Sequence, residues 1–234
     1  MSSSPRCRLL KKPTTPRRRT MKNKKIVDLS RLLSPTTPVY PGDPPFQTVD
    51  ALFHDPVGFN LKTVTTAMHV GTHLDAPRHY FAKGDGVDRI PLGTCVGRAV
   101  RLKVTPVDGI IRTADLLMAW ERLPVKQPRV LLSTGWETTF GRLEYFTAHP
   151  GFEPSLFSFL KNNGVVLFGV DMPSVKYGAS DNAGCHADLL GVKIVIVESL
   201  QNLALLPNEF FLSAAPLPIE GIDGSPIRAY AIVD

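Results

Sequence analysis

A chain of 234 residues, 43% of them hydrophobic, is long enough to bury one substantial core, and it has no apolar run near the ~18–20 residues that span a bilayer. The formal charge of +6 is concentrated in the first 25 residues, which hold 10 Lys or Arg and no acid, so the rest of the chain is mildly acidic, 17 basic residues against 21 acidic. That excludes a basic, nucleic-acid-binding body and leaves only the tail able to meet a polyanion through charge.

The tail is broken by Pro5, Pro13 and Pro16 and is rich in Ser, Arg and Lys, so residues 1–25 are expected to be disordered and residues 26–234 to form one domain. Met21 offers an alternative start. Cys7, Cys95 and Cys185 are odd in number and follow no C-x-x-C spacing, which argues against a disulfide framework and for a reducing, cytoplasmic setting. The acid-free tail also fits a mitochondrial presequence, although an amphipathic helix would need more apolar residues than Leu9 and Leu10 supply.

The first expected strand is 26–30, followed by a turn cluster at Tyr40-Pro-Gly-Asp-Pro-Pro45. Residues 59–70 are β-branched and partly alternating, the pattern of a half-buried strand that delivers His69 at its end. Strands at 97–104 and 129–134 flank a helix capped by Thr113, with Leu116, Leu117 and Trp120 on its apolar face. A helix over 154–163 closes at Gly164, and the apolar runs 165–171 and 192–198 read as buried strands, each ending in an acid. Short strands at 210–215 and 229–233 complete a strand-rich α/β fold with a mixed sheet. No G-x-G-x-x-G spacing follows any strand, which lowers the case for a nucleotide enzyme.

Chemistry is concentrated in His69-Val-Gly-Thr-His73-Leu-Asp75-Ala-Pro-Arg-His79, where three of the six histidines and an acid fall within eleven residues. Two imidazoles and a carboxylate suit Zn²⁺ or Mn²⁺, whereas Ca²⁺ or Mg²⁺ would call for more oxygen ligands. Gly71 lets the backbone approach a ligand closely, and Pro77 stops a regular helix, placing Asp75 and His79 on a turn beside one pocket. His54 and His149 have no partner pattern and read as solvent-facing. Cys185 reads as a small buried hydrophobe. His186, in a loop-like DNAGCHADLL, and Glu198, closing an apolar strand, are candidates to complete the site or ordinary surface residues. Asp171 reads either as a site acid or as a group that orients a loop through backbone N–H groups.

HVGTHLDAPRHY resembles the H-x-G-T-H-x-D-x-P-x-H signature of the cyclase-family metal hydrolases, which include bacterial-type kynurenine formamidases and isatin hydrolases. The likeness continues through IVDLS, YPGDPPF, GVDRIPL, VGRAV, LLSTGW, FGVDMPSV and IVIVESLQNL, leaving only the tail outside it. It implies a β/β/α fold of the family's swivelling type and a homodimer or homotetramer. It further implies two zinc ions held by His69, His73, a bridging Asp75, His186 and Glu198, with His79 as the general acid/base. The implied substrate is an aryl amide, N-formylkynurenine first. A lactam hydrolase with one Mn²⁺ is the alternative, and nucleic-acid binding through the tail a distant one. The formamidases place Trp before the Pro-Gly-Asp turn where this chain has Tyr40, which can still stack on an arene.

Overall fold

The computed structural model describes residues 24–233; the tail before Lys24 lies outside the described residues. In chain order the strands are β1 Lys25–Asp28, β2 Gln47–Leu52, β3 Leu61–Thr65, β4 His73–Asp75, β5 Val96–Lys103, β6 Ile110–Ile111, β7 Arg129–Ser133, β8 Gly151–Phe152, β9 Leu167–Val170, β10 Val195–Glu198, β11 Glu209–Ser213, β12 Gly224–Pro226 and β13 Tyr230–Val233. Nine of them form one mixed sheet in the order β1-β13-β11-β5-β7-β9-β10-β4-β12. Its centre, β5 to β10, is parallel, and antiparallel strands extend both edges. Among the described residues no helix is long and apolar enough to cross a membrane.

The parallel strands are buried on both faces, and the period-two alternation of side chains divides them between two cores. Val130 and Leu132 of β7, Phe168 and Val170 of β9 and Ile196 of β10 join one apolar cluster, while Leu131, Leu167, Val195 and Val197 join the other. The first cluster packs against three helices, Thr113–Glu121, Leu156–Asn162 and Asn182–Gly191. Gly169 of β9 has no room for a side chain, because a Cβ there would stand 2.4 Å from Leu131 Cδ2 and 2.9 Å from Leu200 Cδ1.

Several expectations need correction. The run 59–70 yields only β3, which pairs with β2 in a separate hairpin and is exposed at every position, so its β-branched composition reflects local propensity and not half-burial. His69 lies beyond that strand, in a bend. Thr113 is the first helical residue and Arg112 stands at the cap; Leu116 and Trp120 are buried, but Leu117, one position off their i, i+4 row, faces out. His186 sits on a helix, not a loop. Asp181 caps that helix by accepting the Gly184 N–H at 2.8 Å. His149 is buried beside the Pro150 carbonyl, where burial and then Lys176 push its pKa down to about 4. His54 is exposed, as expected. Cys95 and Cys185 are buried free thiols, and burial drives both upward in pKa, Cys95 to about 11.

Candidate metal centre

The site is built on β4, which lies between β10 and β12. Within β4 the side chains of His73 and Asp75 share one face, while Leu74 enters the core from the other. Glu198, the last residue of β10, pairs directly with His73, so the two side chains emerge side by side: His73 Nε2 is 3.3 Å from Glu198 Oε2. His186 reaches in from the helix Asn182–Gly191, its Nε2 3.3 Å from Glu198 Oε1 and 3.7 Å from Asp75 Oδ2. His69 arrives through the bend at Gly71 and sets Nδ1 2.8 Å from Asp75 Oδ1. Gly71 adopts φ +55, and a Cβ there would stand 2.6 Å from Leu33 Cδ2. That close approach is to Leu33, and Gly71 also lines the cavity that opens over the site.

Asp75 is fully buried, and neither of its oxygens accepts a directed hydrogen bond. The 2.8 Å approach of His69 is a close ion-pair distance without hydrogen-bond direction; the geometry is that of ligand atoms facing a common point. Each imidazole has its other nitrogen committed. His73 Nδ1 donates to the Gly71 carbonyl at 2.9 Å, His186 Nδ1 to the Asn182 carbonyl at 2.8 Å, and His69 Nε2 lies 3.0 Å from Asp223 Oδ2. An N–H held by an acceptor on one side leaves a lone pair on the other, the arrangement of metal-ligating histidine. The ligand atoms of His69, His73 and Asp75 lie within 4.8 Å of one another. Orphaned buried oxygens, pre-set tautomers and a mixed N/O donor set fit a transition ion.

Electrostatics agree. Burial lowers His69, but Asp75 and Asp223 outweigh it and raise it to about 10. His73 and His186 are likewise lowered by burial and raised further by the adjoining carboxylates. Burial raises Asp75, yet the three imidazoles hold it well below the usual carboxylate range. Without metal, protons occupy the place of a cation.

His79, on the 3₁₀ turn Pro77–His79, stacks on His69 with ring centroids 4.0 Å apart and brings Nδ1 to 3.4 Å from Asp223 Oδ2. A cavity of about 550 Å³ opens above these groups. Tyr40 lines it and meets Phe146 edge-on at 5.9 Å, and Phe140 adds a third aromatic side chain. Asp171 belongs elsewhere: it accepts from Thr134 N–H, Thr134 Oγ1 and Gly135 N–H at 2.6–2.9 Å, the loop-orienting role. Sequence reading missed Asp223, Tyr80, which stacks on His186 at 4.8 Å, and the two phenylalanines. No spacing signal points to any of them.

A family model described as Cyclase matches residues 27–177. A curated kynurenine formamidase of Geobacillus thermodenitrificans (strain NG80-2) is 34% identical over 208 residues, covering 87% of this chain and 95% of the relative. Among solved structures, isatin hydrolase A from Ralstonia solanacearum superposes with a TM-score of 0.80 at 28% identity, covering 96% of this chain and all of that one. Isatin hydrolase A from Labrenzia aggregata, bound to benzyl benzoate, gives 0.79 at 28% identity over 90% of this chain and 94% of that one. With a matching model over more than half its length and a relative above 30% identity across most of it, the chain belongs to the Cyclase family.

Proposed function

We propose that this protein is a metal-dependent amide hydrolase acting on aryl formamides, N-formylkynurenine first among them. The observation that carries the reading is the convergence of His69, His73 and His186 on the buried carboxylate of Asp75, which accepts no hydrogen bond, with Glu198 set between His73 and His186, at the base of a cavity with aromatic walls. His69, His73 and Asp75 would hold one ion, and Asp75, His186 and Glu198 a second. A bound Zn²⁺ or Mn²⁺ supplies Lewis acidity toward a carbonyl and lowers the pKa of water from 15.7 towards ~7.

The chain's own residues do the rest. His79 stands half-buried at the cavity, where it takes the proton of the attacking water and returns it to the leaving aryl nitrogen as the C–N bond breaks. Tyr40 and Phe146 offer ring edges and faces to the arene of the substrate. Glu198 accepts the Val175 N–H at 3.1 Å, which fixes its carboxylate between the two buried histidines.

A second reading, hydrolysis of a cyclic aryl amide with one ion at His69, His73 and Asp75, draws support from the likeness to isatin hydrolases. We take the functional unit to be a homodimer or homotetramer; the exposed Val49, Phe53, Phe59 and Val64 of the β2–β3 hairpin are an apolar surface that a second copy would cover. Metal analysis followed by hydrolysis assays on N-formylkynurenine, isatin and formanilide tests the proposal. Turnover of the formamides supports it, turnover of isatin alone selects the second reading, and no amide hydrolysis with metal bound rejects both.

A further inference from the structure

Asp223 belongs to no motif read from the sequence, yet the fold holds it against two imidazoles of the site. Gly224 pairs with Asp75 across the ladder of β12 and β4, and the Asp223 carbonyl accepts the Ala76 N–H at 2.9 Å. On its other side, Val87 N–H donates to the Ile222 carbonyl at 3.1 Å and Gly221 N–H to the Asp88 carboxylate at 3.0 Å. Four consecutive residues, Gly221 to Gly224, are thus tied down. A Cβ at Gly224 would stand 2.7 Å from His69 Cε1, so the turn closes on the ring only because no side chain intervenes.

One oxygen, Asp223 Oδ2, then lies 3.0 Å from His69 Nε2 and 3.4 Å from His79 Nδ1, beside the stacked pair of rings. A neutral imidazole carries one N–H, and an acceptor on one nitrogen keeps the proton there and frees the lone pair of the other. For His69 the freed atom is Nδ1, which faces Asp75. For His79, whose Nδ1 approaches the same oxygen at an ion-pair distance, it is Nε2. We propose that Asp223 is a shared positioning residue, a single carboxylate oxygen that sets both the metal-facing tautomer of His69 and the proton-accepting tautomer of His79. The proposal rests on the reading of His79 as the proton-transfer group. Because one oxygen makes both contacts, Asn retains an acceptor of the same shape, while Ala removes it. The Asp223 side chain is 43% exposed, so neither change removes core packing.

The test has two arms. In the first, Zn²⁺ is titrated into metal-free wild type, Asp223→Asn and Asp223→Ala against a competing chelator. The stoichiometry at saturation should be unchanged, and affinity should fall about 10–100-fold in the Ala variant and less in Asn. In the second, kcat and KM are measured at saturating Zn²⁺ for Asp223→Ala, His79→Ala and the double variant. Asp223→Ala should lose kcat with KM nearly constant, and the double variant should be no slower than His79→Ala, because nothing remains to be positioned. Wild-type affinity and kcat in Asp223→Ala, or additive losses in the double variant, would overturn the proposal. Loss of a whole equivalent of Zn²⁺ would also overturn it, by making Asp223 a ligand. Full turnover in His79→Ala would reject the reading of His79 and that half of the proposal, while the titration still decides the His69 half.

Discussion

Replacing His79 with Ala should separate chemistry from metal retention. The ring stacks on His69, and its ion-pair partner is Asp223 at 3.4 Å, so its removal leaves His69, His73, Asp75, His186 and Glu198 in place. With 28% of its side chain exposed, its loss should change stability by no more than about 1 kcal/mol. Losing a general acid/base costs roughly 10²–10⁴ in rate, a barrier increase of about 2.7–5.5 kcal/mol at about 1.36 kcal/mol per tenfold. Steady-state kinetics on N-formylkynurenine, with metal content measured on the same samples, should show kcat reduced by that factor and metal unchanged. Turnover near wild type would refute the assignment. So would loss of metal together with activity, which would make His79 a ligand.

Other consequences are as direct. His186→Ala or Glu198→Gln should halve bound metal if two ions bind and leave it unchanged if one does, as read by elemental analysis. Without metal, His69 has a pKa raised to about 10, so its contribution to stability is complete below about pH 6.5 and lost as pH rises towards 10. Thermal melts of the metal-free protein should therefore fall across that window, and a flat profile would contradict the His69–Asp75 pairing. Gly169→Val should lower stability by about 1–3 kcal/mol through overpacking against Leu131 and Leu200, measured by urea unfolding.

The legible part of this protein is what lies close together in sequence. His69 to His79 span eleven residues, so donor chemistry and spacing alone bring out the cluster, and unbroken apolar runs mark β7, β9 and β10 as buried strands. Glu198 could be suspected because a carboxylate closing so apolar a strand needs a reason to be there. The loop expected around His186 is a helix: Gly184 and Asn182 weaken helical propensity, and the signal that outweighs them is Asp181 at the cap. Asp223 was invisible for another reason. It lies 154 residues from His69 and is brought to it by the pairing of β12 with β4, a register that three residues of strand do not announce. The buried His149 shows the same limit, since its environment comes from Lys176 and a neighbouring carbonyl.

Elemental analysis of wild type and Asp75→Ala, with circular dichroism to confirm folding, bears most directly on the site. With its buried carboxylate aimed at His69, His73 and His186, Asp75 is the one group common to both ligand sets. The wild-type chain should carry one or two equivalents of Zn²⁺ or Mn²⁺, and a folded Asp75→Ala none. A folded Asp75→Ala that keeps its full metal content would contradict it.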